Sequence, residues 1–356
     1  MLKNRRSRLK RFFEEYSLKA VLFTDLKNIR YLCGFTGTEG VLLISQDHEW
    51  FLCDSRYTAQ ATEEISCAEV RECGAIRIDT VAALANEYGL DRIGFEAAHT
   101  TVSAFRRMSE KLVGIKLVEI GTNLDEIRIC KDHDEIEHLR SVAKLSSLAL
   151  SSVLADIKPG VRETDIALAL ELEMRRRGAE GKAFDFIVAS GERGAMPHGR
   201  ASDKIIQSGD LVTIDFGALK DGYHSDETVT VACGKPETRA RKIHSIVRTA
   251  HDLAIDAVRP GISCKDLDEV ARSYIRNNGY GDYFGHGLGH GIGLEIHEMP
   301  TLSPRSTAMV EEGMVITIEP GIYIPGFGGV RIEDTVVVTT DGCDVITSAD
   351  KQLLVL

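Results

Sequence analysis

Residues 211–232 read LVTIDFGALKDGYHSDETVTVA, two runs rich in apolar residues on either side of a Lys-Asp-Gly turn at 220–222. Asp-Gly between such runs is a strong signal of a β-hairpin with a two-residue loop. With Lys-Asp in the loop, Asp215 lies directly opposite Asp226; with Asp-Gly in the loop, the two residues are diagonal neighbours. Both registers place the two carboxylates on the same face of the hairpin.

Carboxylates placed in this way repel each other and destabilise the sheet unless a positive charge lies between them. Their neighbours on the same face, such as Thr213 and Thr228, carry no charge, which argues against a solvated acidic surface. A metal ion bound between Asp215 and Asp226 is the simplest explanation.

A second hairpin repeats the arrangement. Residues 314–339 read MVITIEPGIYIPGFGGVRIEDTVVVT, two predicted strands around Pro-Gly-Phe-Gly. Pairing about this turn puts Glu319 and Glu333 on one face. Arg331 lies on the same face, about 7 Å from Glu333 along the strand. It could hold a carboxylate in place or face a substrate.

Between the hairpins, residues 284–298 read FGHGLGHGIGLEIHE and contain His286, His290 and His297. Each of the glycines in this stretch would cost a helix roughly 1 kcal/mol, so we predict an extended segment that lets the backbone approach its neighbours closely. The glycine spacing does not fit the dinucleotide fingerprint G-x-G-x-x-G. Histidines close to four carboxylates are candidate metal ligands.

Four carboxylates and one imidazole carry a negative charge that two divalent cations balance. Oxygen-rich ligands suit Mn²⁺ and, less selectively, Co²⁺, Zn²⁺ or Fe²⁺. Two ions about 3.5–4 Å apart can bind a bridging water, lower its pKa and polarise a carbonyl. This ligand set therefore predicts peptide or amide hydrolysis.

The remaining sequence predicts two domains. The first third alternates short apolar runs with helical stretches, as in an α/β domain that ends near residues 121–123. Asp132 and Glu135 form a capping-box pattern at the start of a long helix. Predicted helices of the second domain cover 132–157, 163–177, 237–258 and 264–277. The stretches IKPGVRETDIA (157–167) and VRPGISCKDLD (258–268) look alike, which indicates either an internal duplication or ordinary helix punctuation.

Composition excludes several classes of function. The 356 residues carry a net charge of −11, which argues against general nucleic-acid binding. No stretch approaches the roughly 18 apolar residues of a membrane span. The 8 cysteines are scattered without a C-x-x-C pair. We therefore expect a reduced, cytoplasmic protein with neither a membrane nor a nucleic-acid partner.

The order Asp, Asp, His, Glu, Glu and the words IDFGA, SDET, GHGLGHGIGLEIHE, IEPGIY and VRIED resemble the pita-bread metallopeptidases of peptidase family M24. That family includes aminopeptidase P, prolidase, methionine aminopeptidase and creatinase. YLCGFTGTEG (31–40) and DSRYTAQA (54–61) resemble the N-terminal domain of its Xaa-Pro peptidases. The resemblance implies an α/β creatinase-like N-terminal domain at 1–123. An α+β pita-bread catalytic domain with pseudo-two-fold internal symmetry would follow at 124–356.

The resemblance also implies a dinuclear metal site. Its ligands would be Asp215, Asp226, His290, Glu319 and Glu333. Asp226 and Glu333 would bridge two divalent ions, with Mn²⁺ expected and Co²⁺ or Zn²⁺ as alternatives. Glu319 would also take the proton from the bridging water.

On the substrate side, the resemblance implies catalytic roles for His198, in AMPHGRAS, and for His297. His286 would line the proline pocket, and Arg331 is a further candidate for substrate binding. One position departs from the family pattern Ser-Asp-x-Thr-Arg-Thr, because Val229 stands where the family commonly has arginine. The ligands are intact, and the departure concerns the packing behind them and the tuning of the metal.

The implied activity is that of an Xaa-Pro aminopeptidase, which hydrolyses the bond between an N-terminal residue and a following proline through a hydroxide that bridges the metals. The alternative is a prolidase, which cleaves only Xaa-Pro dipeptides. A non-catalytic pita-bread binding protein is less favoured, since such relatives usually lose ligands and all five are present here. The expected partners are peptides with proline at the second position and a second copy of the chain, in a homodimer.

Overall fold

The computed structural model describes residues 2–74 and 76–356. The chain divides into two compact units, Met1–Arg128 and Ile129–Leu356. The 3-10 helix Thr122–Arg128 belongs to the first unit, where the carbonyl oxygen of Ile127 accepts hydrogen bonds from Arg8 and Tyr31. The boundary predicted from the sequence, after residue 123, falls inside this 3-10 helix.

The first unit is built around one mixed six-stranded sheet with the order β4-β3-β2-β1-β5-β6. Its strands are β1 (Ala20–Phe23), β2 (Val41–Ser45), β3 (Glu49–Cys53), β4 (Glu69–Glu72), β5 (Arg92–Glu96) and β6 (Lys116–Ile120). Its helices are α1 (Leu2–Ser7), α2 (Lys10–Glu15), α3 (Leu26–Cys33), α4 (Thr58–Glu64), α5 (Arg77–Glu87) and α6 (Val102–Lys111). Trp50 and Leu22 are among the buried side chains of its core. The predicted α/β class of this domain is confirmed.

The second unit combines two helix pairs with several small antiparallel sheets. The helices are α7 (His133–Val153), α8 (Glu163–Arg176), α9 (Thr238–Ala257) and α10 (Cys264–Asn277). The strands before α9 are β7 (Gly181–Lys182), β8 (Ile187–Ser190), β9 (Leu211–Phe216), β10 (Ala218–Lys220), β11 (Tyr223–His224) and β12 (Glu227–Ala232). The strands after α10 are β13 (Gly289–Gly291), β14 (Glu298–Leu302), β15 (Val315–Ile318), β16 (Gly321–Ile324), β17 (Gly328–Arg331), β18 (Asp334–Val338) and β19 (Cys343–Val345).

The internal duplication is visible in equivalent hydrogen bonds. After α7, the amide of Gly160 donates to the carbonyl of Ile206 at 3.0 Å. After α9, the amide of Gly261 donates to the carbonyl of Val310 at 2.8 Å. In each half the loop leads into a second helix, α8 or α10, and then into a hairpin that carries two of the predicted carboxylates. The two similar stretches of sequence therefore mark a pseudo-two-fold repeat.

Both predicted hairpins form. In the first, Leu219 pairs with His224, and β9 continues the same register against β12, so that Asp215 lies opposite Thr228. The loop is therefore Asp221-Gly222, the second of the two predicted registers. Both loop residues have positive φ, +50° and +73°, as a two-residue hairpin turn of the I′ type requires.

In the second hairpin, β15 and β16 run antiparallel to β18 and β17, and one register spans both pairs. Glu319 and Glu333 lie opposite each other in this register, as predicted.

Among the described residues, the helices lack a segment with the length and hydrophobicity needed to cross a membrane.

Candidate metal centre and active site

The two hairpins are joined by an antiparallel bridge between Thr228 and Glu333. The Glu333 amide donates to the carbonyl of Thr228 at 3.1 Å, and the Thr228 hydroxyl donates to Oε2 of Glu333 at 2.6 Å. This contact brings together the ends of four strands, at which the four predicted carboxylates lie: Asp215, Asp226, Glu319 and Glu333.

His290 reaches the carboxylates from β13, in the segment predicted to be extended. A side chain at Gly289 would lie 2.0 Å from the carbonyl oxygen of Thr317, so the backbones approach as closely as glycine allows. The Nδ1 atom of His290 lies 2.9 Å from the carbonyl of Gly291. Donation from Nδ1 leaves the lone pair of Nε2 facing the acids. Nε2 is 3.5 Å from carboxylate oxygens of both Asp226 and Glu319.

These side chains fit a divalent metal. Asp226, His290 and Glu333 each offer one ligand atom, and the three atoms lie within 4.8 Å of one another. Oδ1 of Asp215 and Oε1 of Glu333 are buried and have no hydrogen-bond partner among the described residues. Buried carboxylate oxygens are costly unless a donor or a cation binds them, so these two unpartnered oxygens indicate metal ligation.

The electrostatics support the same interpretation. Burial raises the pKa values of Asp226 and Glu333 well above their ordinary range, and repulsion from the neighbouring acids adds to the effect. The pKa of Glu319 is raised by removal from water, although His290 and Arg331 partly oppose the shift. Divalent cations would relieve the repulsion and hold the carboxylates ionised.

Arg331 is buried beside the ligands, and all its nitrogens have partners. It forms an ion pair with Asp215 and donates to the hydroxyl of Tyr323 at 2.8 Å. It also donates to the carbonyl of Pro197 at 3.0 Å and to the hydroxyl of Thr228 at 3.3 Å. Of the two roles that the sequence leaves open for this residue, these contacts correspond to holding a carboxylate in place.

Tyr323 connects Arg331 to His286. Its hydroxyl accepts from Arg331 and lies 2.8 Å from Nε2 of His286. Nδ1 of His286 is 2.7 Å from the carbonyl of Gly287, so a donor at Nδ1 leaves Nε2 as an acceptor. Burial, reinforced by Arg331, lowers the pKa of His286 to about 4 and keeps the ring neutral.

The other two predicted histidines lie close to this group. The rings of His297 and His290 have centroids 4.4 Å apart in an edge-to-face arrangement. Burial and the nearby His290 lower the pKa of His297. His198 is exposed and near enough to disfavour the protonated forms of both His286 and His297. The structure thus brings every predicted site residue into one region of the second unit.

Sequence reasoning missed three polar residues that orient the ligands: Thr228, Thr317 and Tyr323. Thr317 accepts from the amide of His290 at 3.0 Å and lies 3.4 Å from Glu319. The alternation of side chains along a strand could have indicated two of them. Thr228 is two residues from Asp226, and Thr317 is two residues from Glu319, so each shares a face with a predicted ligand.

Comparison with known proteins follows the same division of the chain. Residues 137–340 match the model of metallopeptidase family M24. Residues 5–130 match the creatinase/prolidase N-terminal domain. The chain is 38% identical to an Xaa-Pro dipeptidase of Pyrococcus furiosus over 99% of this chain and 100% of that one.

Two solved structures share the fold throughout. An Xaa-Pro dipeptidase from Bacillus anthracis superposes with a TM-score of 0.98 at 41% identity, covering 100% of both chains. An X-Pro aminopeptidase from Thermotoga maritima superposes with a TM-score of 0.91 at 40% identity, covering 96% of this chain and 98% of the other. The chain therefore belongs to metallopeptidase family M24, with a creatinase/prolidase N-terminal domain ahead of the M24 domain.

Proposed function

We propose that this protein is a metal-dependent Xaa-Pro dipeptidase, a prolidase. The observation that carries the proposal is the convergence of Asp226, His290 and Glu333 within 4.8 Å, beside buried carboxylate oxygens that have no other partner among the described residues. The dipeptidases of P. furiosus and B. anthracis, similar along the whole chain, support the substrate class. They favour the prolidase, the alternative in the sequence prediction, over the aminopeptidase that the sequence first suggested.

Two divalent ions would be held by the five predicted ligands, Asp215, Asp226, His290, Glu319 and Glu333. When bound, they would acidify a water and polarise the scissile carbonyl. Glu319, partly buried and 3.5 Å from His290, would accept the proton of that water. Arg331 would orient Asp215 by its ion pair. His198 and His297 would contact the peptide carbonyl and its tetrahedral form, while His286 would line the proline pocket.

Further details belong to the same proposal. Mn²⁺ is the proposed metal because most of the ligand atoms are carboxylate oxygens. A cytoplasmic location is supported by the state of the cysteines, all eight of which are free thiols. We also propose that the protein forms a homodimer. Its proposed substrates are dipeptides that end in proline.

A second candidate activity is removal of an N-terminal residue from longer peptides that have proline next. The T. maritima X-Pro aminopeptidase, 40% identical over 96% of this chain, favours it. The two activities differ in whether the active site accepts peptide beyond the proline.

The test compares Ala-Pro with Ala-Pro-Ala as substrates of the Mn²⁺-loaded protein. A dipeptidase should cleave Ala-Pro with a kcat/KM at least about tenfold higher than that for Ala-Pro-Ala. The loss of one favourable contact in a shaped pocket lowers kcat/KM by about this factor. Chelation should abolish the activity, and Mn²⁺ should restore it. Preference for the tripeptide would establish the aminopeptidase. A protein that binds Mn²⁺ but cleaves neither peptide would be a binding protein, and full activity after metal removal would exclude the metal mechanism.

A further inference from the structure

A second charged cluster lies directly behind the metal ligands. Asp226 is followed by Glu227, the first residue of β12, and Glu333 is followed by Asp334, the first residue of β18. Consecutive side chains of a strand point to opposite faces. The antiparallel bridge at Thr228 and Glu333 sets Glu227 opposite Asp334. The same two backbone segments thus carry one acid pair toward the metal centre and another pair away from it.

One lysine binds both acids of this rear pair. Nζ of Lys351 is 2.5 Å from Oε1 of Glu227 and 3.1 Å from Oδ1 of Asp334. All three side chains are at most one-tenth exposed, with Glu227 at 0% and Lys351 at 4%. Two carboxylates so far from water repel strongly unless a cation neutralises them.

The remaining hydrogen bonds of the cluster come from the protein as well. Ser147 donates to Oε2 of Glu227 at 2.6 Å, and the amide of Ala349 donates to Oε1 at 2.8 Å. Thr347 donates to Oδ1 of Asp334 at 2.6 Å. Nε2 of His251 lies 3.2 Å from Oδ2 of Asp334, a contact that does not have hydrogen-bond geometry. Because these partners satisfy the rear acids, the cluster is a structural anchor and does not need a metal of its own.

We propose that Lys351 is a positioning residue for the metal centre. By neutralising Glu227 and Asp334, it holds the starts of β12 and β18 at a fixed separation. That separation sets the distance between Asp226 and Glu333, the two ligands predicted to bridge the ions. Ligand atoms must be placed to within a few tenths of an ångström for tight binding, so a small change in strand spacing lowers metal affinity.

The role of Lys351 also accounts for the departure noted at Val229. Val229 is buried, lies two residues after Glu227 on the same face of β12, and is a diagonal neighbour of Asp334 in the bridged register. An arginine there, as in the family pattern, could reach Asp334. In this chain the positive charge on that face is supplied by Lys351, from the C-terminal segment.

The test measures metal affinity in full-length apoprotein by competition between the protein and a chelator for Mn²⁺. Lys351→Met, which keeps the length but removes the charge, should weaken Mn²⁺ binding by about 10–100-fold, the usual effect of removing a residue that orients metal ligands. The visible absorption of the Co²⁺-loaded variant should change in band position or intensity. Lys351→Arg keeps the positive charge but is bulkier, so it should bind Mn²⁺ more tightly than Lys351→Met without reaching the wild-type affinity.

Lys204→Met is the control, at a lysine whose side chain is 26% exposed. It breaks another lysine–aspartate pair, Lys204 with Asp210 at 2.7 Å, which does not adjoin the bridging ligands in sequence. It should lower the melting temperature while leaving Mn²⁺ affinity and the Co²⁺ spectrum unchanged. If Lys351→Met does not fold, Glu227→Gln replaces it, and weaker Mn²⁺ binding by about 3–10-fold is expected.

The inference rests on the proposed metal centre, and the two fail differently. A wild-type protein that binds no Mn²⁺ would overturn the proposed function. A wild type that binds Mn²⁺, beside a Lys351→Met or Glu227→Gln variant of equal affinity and identical Co²⁺ spectrum, would overturn only the positioning role of Lys351. That role would also be excluded if Lys204→Met weakened Mn²⁺ binding as much as Lys351→Met.

Discussion

At the scale of single residues, the carboxylates of the site differ in burial, and this difference distinguishes those proposed only as metal ligands from the one proposed also to accept a proton. Asp226 and Glu333 are buried, and burial together with repulsion from the neighbouring acids raises the pKa of both carboxyl groups. Glu319 is less buried than these two acids, at 19% side-chain exposure. We therefore propose Glu319 as the acid that exchanges a proton.

Replacement of Glu319 by glutamine tests that assignment. Glutamine keeps the size and one oxygen but cannot accept a proton, so turnover should fall by about 10²–10⁴-fold if Glu319 is the base. Steady-state kinetics at saturating Mn²⁺, with bound metal measured in parallel, give the answer. Glu312→Gln, an exposed change on the same segment, is the control and should leave turnover unaltered. A loss smaller than tenfold at full metal occupancy would place the base elsewhere.

The histidines should separate into two classes. His290→Ala removes a nitrogen that faces Asp226 and Glu319 at 3.5 Å, so the variant should bind less Mn²⁺ than the wild type. His198→Ala and His297→Ala should lower turnover and leave the metal content near normal, because their proposed partners are substrate atoms. The metal content of the three purified variants distinguishes the metal-binding histidine from those that would contact substrate. Equal metal loss in all three would mean that the ligand assignment is wrong.

At the scale of elements, the sequence predicted regular patterns well. The capping box of α7 is present, with the Glu135 amide 3.1 Å from Asp132 and the Asp132 amide 3.0 Å from Glu135. The shared face of Asp215 and Asp226 was also predictable, because a Lys-Asp loop and an Asp-Gly loop both place the two residues on the same face of the hairpin. Strand β4, with sequence EVRE, has no apolar alternation, so its sequence does not predict a strand. Lys351 could not be predicted as a partner of Glu227, since no local pattern links residues 124 positions apart.

Helix α9 carries a titratable residue whose effect on stability can be measured. His244 is buried, and burial together with Arg248 lowers its pKa to about 4. Between pH 6.5 and 4 the unfolded chain binds a proton at this residue that the folded chain does not. Stability must therefore fall as the pH falls through this range.

A His244→Gln variant should lack this contribution. From about pH 7.5 to about pH 4.5 the wild type should lose about 2–3 kcal/mol more unfolding free energy than the variant. Urea unfolding of both apoproteins across this range provides the comparison. At higher pH the difference between them should stay constant, which serves as the internal control. Parallel pH profiles across the whole range would contradict a buried, neutral His244.

At the scale of the whole molecule, the predicted metal ligands all belong to the second unit. All five predicted ligands, and the cluster of Lys351 behind them, lie within Ile129–Leu356, which has its own core that includes Val247 and Ile316. The first unit has only His48 and His99 as histidines. His99 is 3.1 Å from Asp125, a contact within the first unit. We propose that the first unit contributes to the selection of peptide length and to dimer formation.

Removal of the first unit tests this division of labour. The fragment 129–356 should fold, as judged by circular dichroism, and should bind Mn²⁺ within about threefold of the full chain because it keeps every ligand and its rear cluster. It should sediment as a monomer, and its preference for Ala-Pro over Ala-Pro-Ala should decrease. A metal-loaded fragment with an unchanged preference would show that the second unit alone measures peptide length. A full-length protein that sediments as a monomer would exclude the dimer, while a fragment that stays dimeric would move the interface to the second unit.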